Sequence, residues 1–111
     1  MFDHPREYCG LCGVSGGEAV LEQTHLGLHS LQHRGQEAAG VMAQVDGVCR
    51  TSRGMGLVDR VFSDLPDWWW KGDVTRAISH VRYSTAGGSA QNNAQPLMVN
   101  MAGQVVGIAH N

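Results

Sequence analysis

The chain has 111 residues, 42% hydrophobic and 16% charged, with a formal net charge of -2. That length is room for one small domain with a single core, and too short for two. No Lys/Arg cluster appears, which argues against nucleic-acid binding through a basic face and against a polybasic membrane patch.

The leader, Met1 to Tyr8, is polar and lacks the apolar stretch of a secretory signal. No apolar run is long enough to span a bilayer. Three cysteines without an export signal point to free thiols in a reducing cytoplasm.

In chain order, residues 9 to 15 read as a short strand of small residues alternating with Leu11 and Val14. Val20, Leu21, Thr24, His25, Leu28 and Leu31 then recur at helical spacing, which predicts an amphipathic helix over roughly 18 to 33. Gly35 is placed for a left-handed C-cap, and Gly27 inside the helix either weakens it or marks a close packing contact. Val41 to Val45 reads as a strand, Asp46-Gly47 as a tight hairpin turn, and Val48 to Ser52 as the returning strand, broken by Gly54-Met55-Gly56.

Leu57 to Phe62 reads as a short helical turn. Asp64 to Gly72 reads as loop or a further helical turn, whose three adjacent tryptophans cannot all face one core. Thr75 to Tyr83 is expected as a buried strand, and Ser84 to Gln95 as a loop of small polar residues. A last hairpin follows, Leu97 to Met101 and Gln104 to Ala109, in which Val105, Val106, Ile108 and Ala109 read as core. A core strand two residues from the terminus predicts a truncated chain.

Several constellations carry chemistry. Cys9 and Cys12 form a C-x-x-C that admits two core thiols, a redox pair or half a zinc site. The hairpin-rich pattern disfavours the redox reading, and the missing paired ligands disfavour zinc. If the leader Met1 to Tyr8 were removed, Cys9 would carry a thiol and a free α-amine, a nucleophile and a base in one residue. Arg34 and Gly35 stand where the helix runs out, either as a solvated helix end or beside a site. Arg82 stands at a strand end, placed for a bidentate grip on a carboxylate or for a surface ion pair. Asn111 ends an apolar strand, either as a turn residue or as a donor to a developing oxyanion.

Six stretches together resemble the N-terminal glutaminase domain of the amidophosphoribosyltransferase family. They are Cys9-Gly10-Leu11-Cys12-Gly13-Val14, Leu31 to Gln36 with Ala39-Gly40, Gly56-Leu57-Val58 with Val61-Phe62, His80 to Gly87, Asn93-Ala94-Gln95-Pro96 and Ala109-His110-Asn111. They occur in the family's order and at its approximate spacing. The segments around Gln36 and from Val81 to Gly87 set the chain apart from glucosamine-phosphate synthase and asparagine synthetase, which share the Cys, the Arg-Gly pair and the Asn.

The resemblance implies an α+β fold, the αββα sandwich of antiparallel sheets of the N-terminal-nucleophile (Ntn) hydrolases, here truncated. It implies a leader over 1–8 and the front of a type-2 glutamine amidotransferase domain over 9–111. By the same resemblance Cys9 is the nucleophile and Asn111 the side-chain half of the oxyanion hole. Arg82, with Thr85 and Tyr83, binds glutamine, and Arg34 and Gly35 shape the site. The family's second oxyanion donor, a Gly after the Asn, and its Asp for the substrate amine fall beyond residue 111.

The activity implied is release of ammonia from glutamine. A C-terminal phosphoribosyltransferase domain, absent from this stretch, would use it on phosphoribosyl pyrophosphate (PRPP) to make phosphoribosylamine for purine synthesis. The resemblance implies no metal or cofactor in this segment. For the full-length enzyme it implies Mg2+, in some members a 4Fe-4S cluster, and a homo-oligomer. The alternatives are an inactive glutaminase-like fragment or binding remnant and, on Cys9 and Cys12, a small zinc or redox module.

Overall fold

The computed structural model describes residues 9–83 and 94–110. The elements are β1 (Gly10–Ser15), α1 (Val20–Ser30), a 3-10 turn (Gln32–Arg34), β2 (Ala38–Val45), β3 (Val48–Met55), α2 (Val58–Ser63), α3 (Asp67–Lys71), β4 (Val74–Arg82), β5 (Leu97–Met101) and β6 (Gln104–Ile108). The first four strands form one antiparallel sheet in the order β1-β4-β2-β3, and β5 pairs with β6.

Strand alternation gives that sheet two different faces. Ala39, Val41, Ala43 and Val45 of β2 point, with Ala77 and Val81 of β4, into the core against Val20, Leu21 and Leu28 of α1 and Val58, Val61 and Phe62 of α2. Burying a side chain such as Phe62 is worth about 1.5–3 kcal/mol, and this cluster fixes the helices on one side.

The other face carries Met42, whose thioether end fills the space beside Gly107 of β6 and would have to move aside for a Cβ there. A cleft of about 520 Å³, lined by Gly13, Met42, Ile78, Val105 and Gly107, separates this face from the hairpin. Helices, a four-stranded sheet and a two-stranded sheet therefore stack in succession, the start of an αββα sandwich.

The Asp46-Gly47 turn forms with positive φ at both residues. β2 and β3 run further than the sequence suggests, from Ala38 and to Met55, because Gly40 and Gly54 fit inside a paired ladder. Positive φ at Gly56 then turns the chain out of β3. Trp69 is buried while Trp68 is 46% exposed, with the Arg50 guanidinium 5.0 Å from its ring centroid.

Two expectations fail. Gly35 is no left-handed cap: it is extended, with φ of -170°, and α1 ends earlier, at Ser30. Val105, Val106 and Ile108 are not core, since Val106 is 49% and Ile108 58% exposed. Gly107 makes the hairpin's inward contact, and no described residue covers the outward side. No helix among the described residues is long and apolar enough to cross a membrane.

α1 and α2 are pinned at the surface by Asp59, whose Oδ1 accepts from His25 Nε2 at 2.9 Å and His29 Nδ1 at 3.1 Å. His25 also stacks on Phe62, ring centroids 4.6 Å apart. The hydrogen bond from His25, seconded by His29, holds the Asp59 carboxyl below its usual range against a smaller opposing effect of desolvation. A carboxyl lowered by folding stabilises above its unfolded pKa, about 3.9, and that contribution fades as pH falls through the lower folded value. Urea unfolding should therefore find Asp59→Asn less stable than the parent at pH 6, with the gap closing by pH ~2.5; a gap that is constant with pH would contradict this.

Candidate active site

The site is built where β1 begins and β4 ends. Gly10 pairs with Val81, and an added Cβ there would lie 3.2 Å from both Leu31 and Val81. Continued one step, the register sets buried Cys9 beside Arg82, on the sheet face away from the helices.

The 3-10 turn closes this end. Arg34 Nε donates to the Cys9 carbonyl at 3.1 Å, tying the turn to the residue that bears the thiol. Gln32 braces the turn from both ends of its amide: Nε2 donates to Gly35 O at 2.6 Å, and Oε1 accepts from Val58 N at 2.7 Å. Gly35 lies flat on β4, where a Cβ would come within 2.6 Å of the Arg82 carbonyl carbon. Glu37 N then donates to Arg82 O at 3.1 Å. Glycine at 35 serves a close backbone approach, not a helix cap.

Arg82 is half-buried, and its Nε is shut away from solvent with no acceptor among the described residues. A buried cationic N–H without a partner costs about 1–3 kcal/mol, and an incoming carboxylate would remove that cost. Tyr83 follows at the exposed strand end. Thr85, Asn111 and residues 84–93 of the expected Ser84–Gln95 loop lie outside the described residues.

The two cysteines of the C-x-x-C do not act together. Cys12 faces α1, where a Cβ on Gly27 would meet its Sγ at 2.6 Å, and Cys9, three residues away, faces the other side. Burial pushes the Cys12 thiol up, opposed by a hydrogen bond with Ser79, so Cys12 stays protonated and weakly nucleophilic at neutral pH. All three cysteines are free, and among the described residues no group of three His, Cys, Asp or Glu side chains is arranged to hold a metal.

Two neighbours were given no role by the sequence. His80, fully buried in β4, sets Nε2 2.8 Å from His110 O. A carbonyl only accepts, so Nε2 carries the proton and Nδ1 is left as a buried lone pair with no donor among the described residues. Burial, aided by the nearby Arg82 charge, pushes the His80 pKa down, with the bond to His110 opposing. Gln95 Oε1 accepts from His110 N at 2.6 Å. A histidine in the middle of a strand and a glutamine before a proline give no periodic signal; only the fold brings them to residue 110.

No family model matches the chain. Curated relatives match it nearly end to end and are homologous to it in their N-terminal portion. Amidophosphoribosyltransferase 2, chloroplastic, of Arabidopsis thaliana is 46% identical over 98% of the chain. The amidophosphoribosyltransferases of Lacticaseibacillus casei and Mycobacterium leprae are 43% and 44% identical over 95% and 99% of it. The chain spans 19%, 54% and 20% of these three proteins. Among solved structures, it is similar to a glutamine PRPP amidotransferase from B. subtilis complexed with ADP and GMP. That match has a TM-score of 0.76 and 36% identity, covering 91% of this chain and 21% of that one. A structure described as the allosteric regulatory enzyme of purine biosynthesis matches with a TM-score of 0.70 and 41% identity, over 83% of this chain and 19% of that one.

Because Gly35 seats the turn on Arg82, Gly35→Ala should lift Arg34 from the Cys9 carbonyl and destabilise the fold by about 1–3 kcal/mol, the usual range for overpacking. Thermal unfolding measures the loss, and a melting temperature equal to the parent's would refute the close approach.

Proposed function

We propose that this chain, homologous over its whole length to the N-terminal portion of the amidophosphoribosyltransferases, is the glutamine-hydrolysing, ammonia-supplying part of such an enzyme. The observation that carries the reading is the placement, one step beyond the Gly10–Val81 pair, of a thiol, Cys9, and a cation, Arg82, whose Nε has no acceptor among the described residues.

With the leader removed, the α-amine of Cys9, of ordinary pKa about 7.7–8.0, is partly neutral near neutral pH and accepts the thiol proton. The thiolate adds to the side-chain amide carbon of glutamine, and the amide oxygen becomes an oxyanion to which Asn111 donates. The ammonium of Cys9 returns its proton to the leaving nitrogen, and ammonia departs from a thioester. Water then hydrolyses the thioester to glutamate and restores the thiol. Arg82 holds the glutamine α-carboxylate, with Thr85 and Tyr83 beside it, while Arg34 and Gly35 fix the approach to Cys9.

The ammonia is used by a C-terminal phosphoribosyltransferase domain, which displaces pyrophosphate from PRPP to give phosphoribosylamine for purine synthesis. Mg2+, a 4Fe-4S cluster where one is present, and the contacts of a homo-oligomer belong to that remainder of the enzyme. Free thiols suit a reducing compartment, the cytoplasm in the bacterial setting, while the Arabidopsis relative is named as chloroplastic.

In the complete gene product, a glutamine-analogue electrophile should label Cys9 once the leader is off, and Cys9→Ala should abolish both labelling and glutamine hydrolysis. Labelling that persists in Cys9→Ala, or a mature protein that retains Met1 to Tyr8, would overturn the reading. Arg82→Ala should raise KM for glutamine about 10- to 100-fold, the ~1.5–3 kcal/mol of a charge-assisted hydrogen bond. It should leave the rate with added ammonia unaltered.

A further inference from the structure

We infer that His80 and Gln95 are positioning residues for the oxyanion hole: together they fix both backbone groups of His110 and so set where the chain enters Asn111. The inference rests on the reading of Asn111 as an oxyanion donor.

The β5–β6 ladder ends at the Leu97–Ile108 pair, so residues 109 and 110 have no strand partner among the described residues. A donor to an oxyanion must nevertheless be held to within a few tenths of an ångström, because the hydrogen bond is productive only at about 2.7–3.1 Å. Two side chains supply that constraint. Gln95 Oε1 takes the His110 N–H at 2.6 Å, and His80 Nε2–H donates to the His110 carbonyl at 2.8 Å.

Both anchors trace back to one rung of the large sheet. His80 pairs with Gly40, and the Gln95 carbonyl lies against Gly40 where any Cβ would collide with it. Arg53 Nη1 donates to Ala94 O at 2.9 Å and secures the same segment. A neutral imidazole has a single N–H, and here it is committed to the His110 carbonyl. His80 therefore acts through the backbone and not as a general acid toward substrate.

The test uses paired variants of the complete gene product. His80→Leu and Gln95→Leu remove a donor and an acceptor. His80→Gln and Gln95→Glu keep a donor and an acceptor near the same points. The leucine variants should lower kcat for glutamine hydrolysis by about 10- to 100-fold, part of the ~10²–10³ that loss of a whole oxyanion donor brings. KM for glutamine, and alkylation of Cys9 by iodoacetamide, which builds no oxyanion, should stay within about twofold of the parent. His80→Gln and Gln95→Glu should recover most of kcat. The double leucine variant should lose little more than the worse single one, since both hold the same residue.

A parallel fall in kcat and Cys9 alkylation would mean a general structural role and would overturn the inference. If His80→Leu does not fold, the two Gln95 variants decide, and wild-type kcat in Gln95→Leu refutes it. Asn111→Ala separates the two readings. Low kcat there with normal kcat in the leucine variants defeats this inference alone, whereas wild-type kcat in Asn111→Ala defeats the oxyanion assignment beneath it.

Discussion

The antiparallel register between β1 and β4 is the constraint on which the site depends. With Gly10 against Val81 and Leu11 against His80, the thiol-bearing residue arrives beside Arg82, and alternate residues of β4 divide their tasks. Val81, Ser79 and Ala77 turn toward the helices, while Arg82 and His80 turn to the opposite face. A slip of one residue would exchange those faces along the whole strand, so the burial of Val81 and Ala77 enforces the geometry around the thiol. Core packing and chemistry are here two sides of one strand.

β4 is flanked on both edges, by β1 and β2, and β2 is flanked in turn by β4 and β3, so both inner strands are held from two sides. Fixed parts of the site are hung on β4 and its neighbour β2: the 3-10 turn through Gly35 and Glu37 on Arg82, residue 110 on His80, and residue 95 on Gly40 of β2. The electrostatic pattern follows from the same burial. Desolvation keeps His80 neutral and Cys12 protonated, so neither competes with the Arg82 cation or with Cys9 for proton or anion.

What the sequence made legible was largely local. Asp46-Gly47 announces its hairpin because positive φ at two successive positions suits few residues, and the apolar period of Val20 to Leu28 announces α1. The amidotransferase resemblance arose from short motifs whose order survives in one dimension. The misreadings share a cause. Gly35 serves either a helix cap or a close approach, and only the position of Arg82 in space decides between them. Val105, Val106 and Ile108 look like core because apolar character says what a residue prefers to touch, not whether anything lies above it. His80 and Gln95 carry no sign of their joint hold on His110, since a partnership 15 or 30 residues apart in sequence exists only after folding.

The contact between Cys12 and Gly27 has an evolutionary consequence. The Sγ of Cys12 occupies the space a side chain at 27 would need, so strand and helix meet through one sulfur and one absent methyl. The two positions share a single allotment of volume. A lineage that enlarges one without shrinking the other must push α1 off the sheet, and with it the 3-10 turn that follows. Substitutions at 12 and 27 should therefore travel as a pair, the larger residue passing from strand to helix or back, though neither position touches a reacting atom.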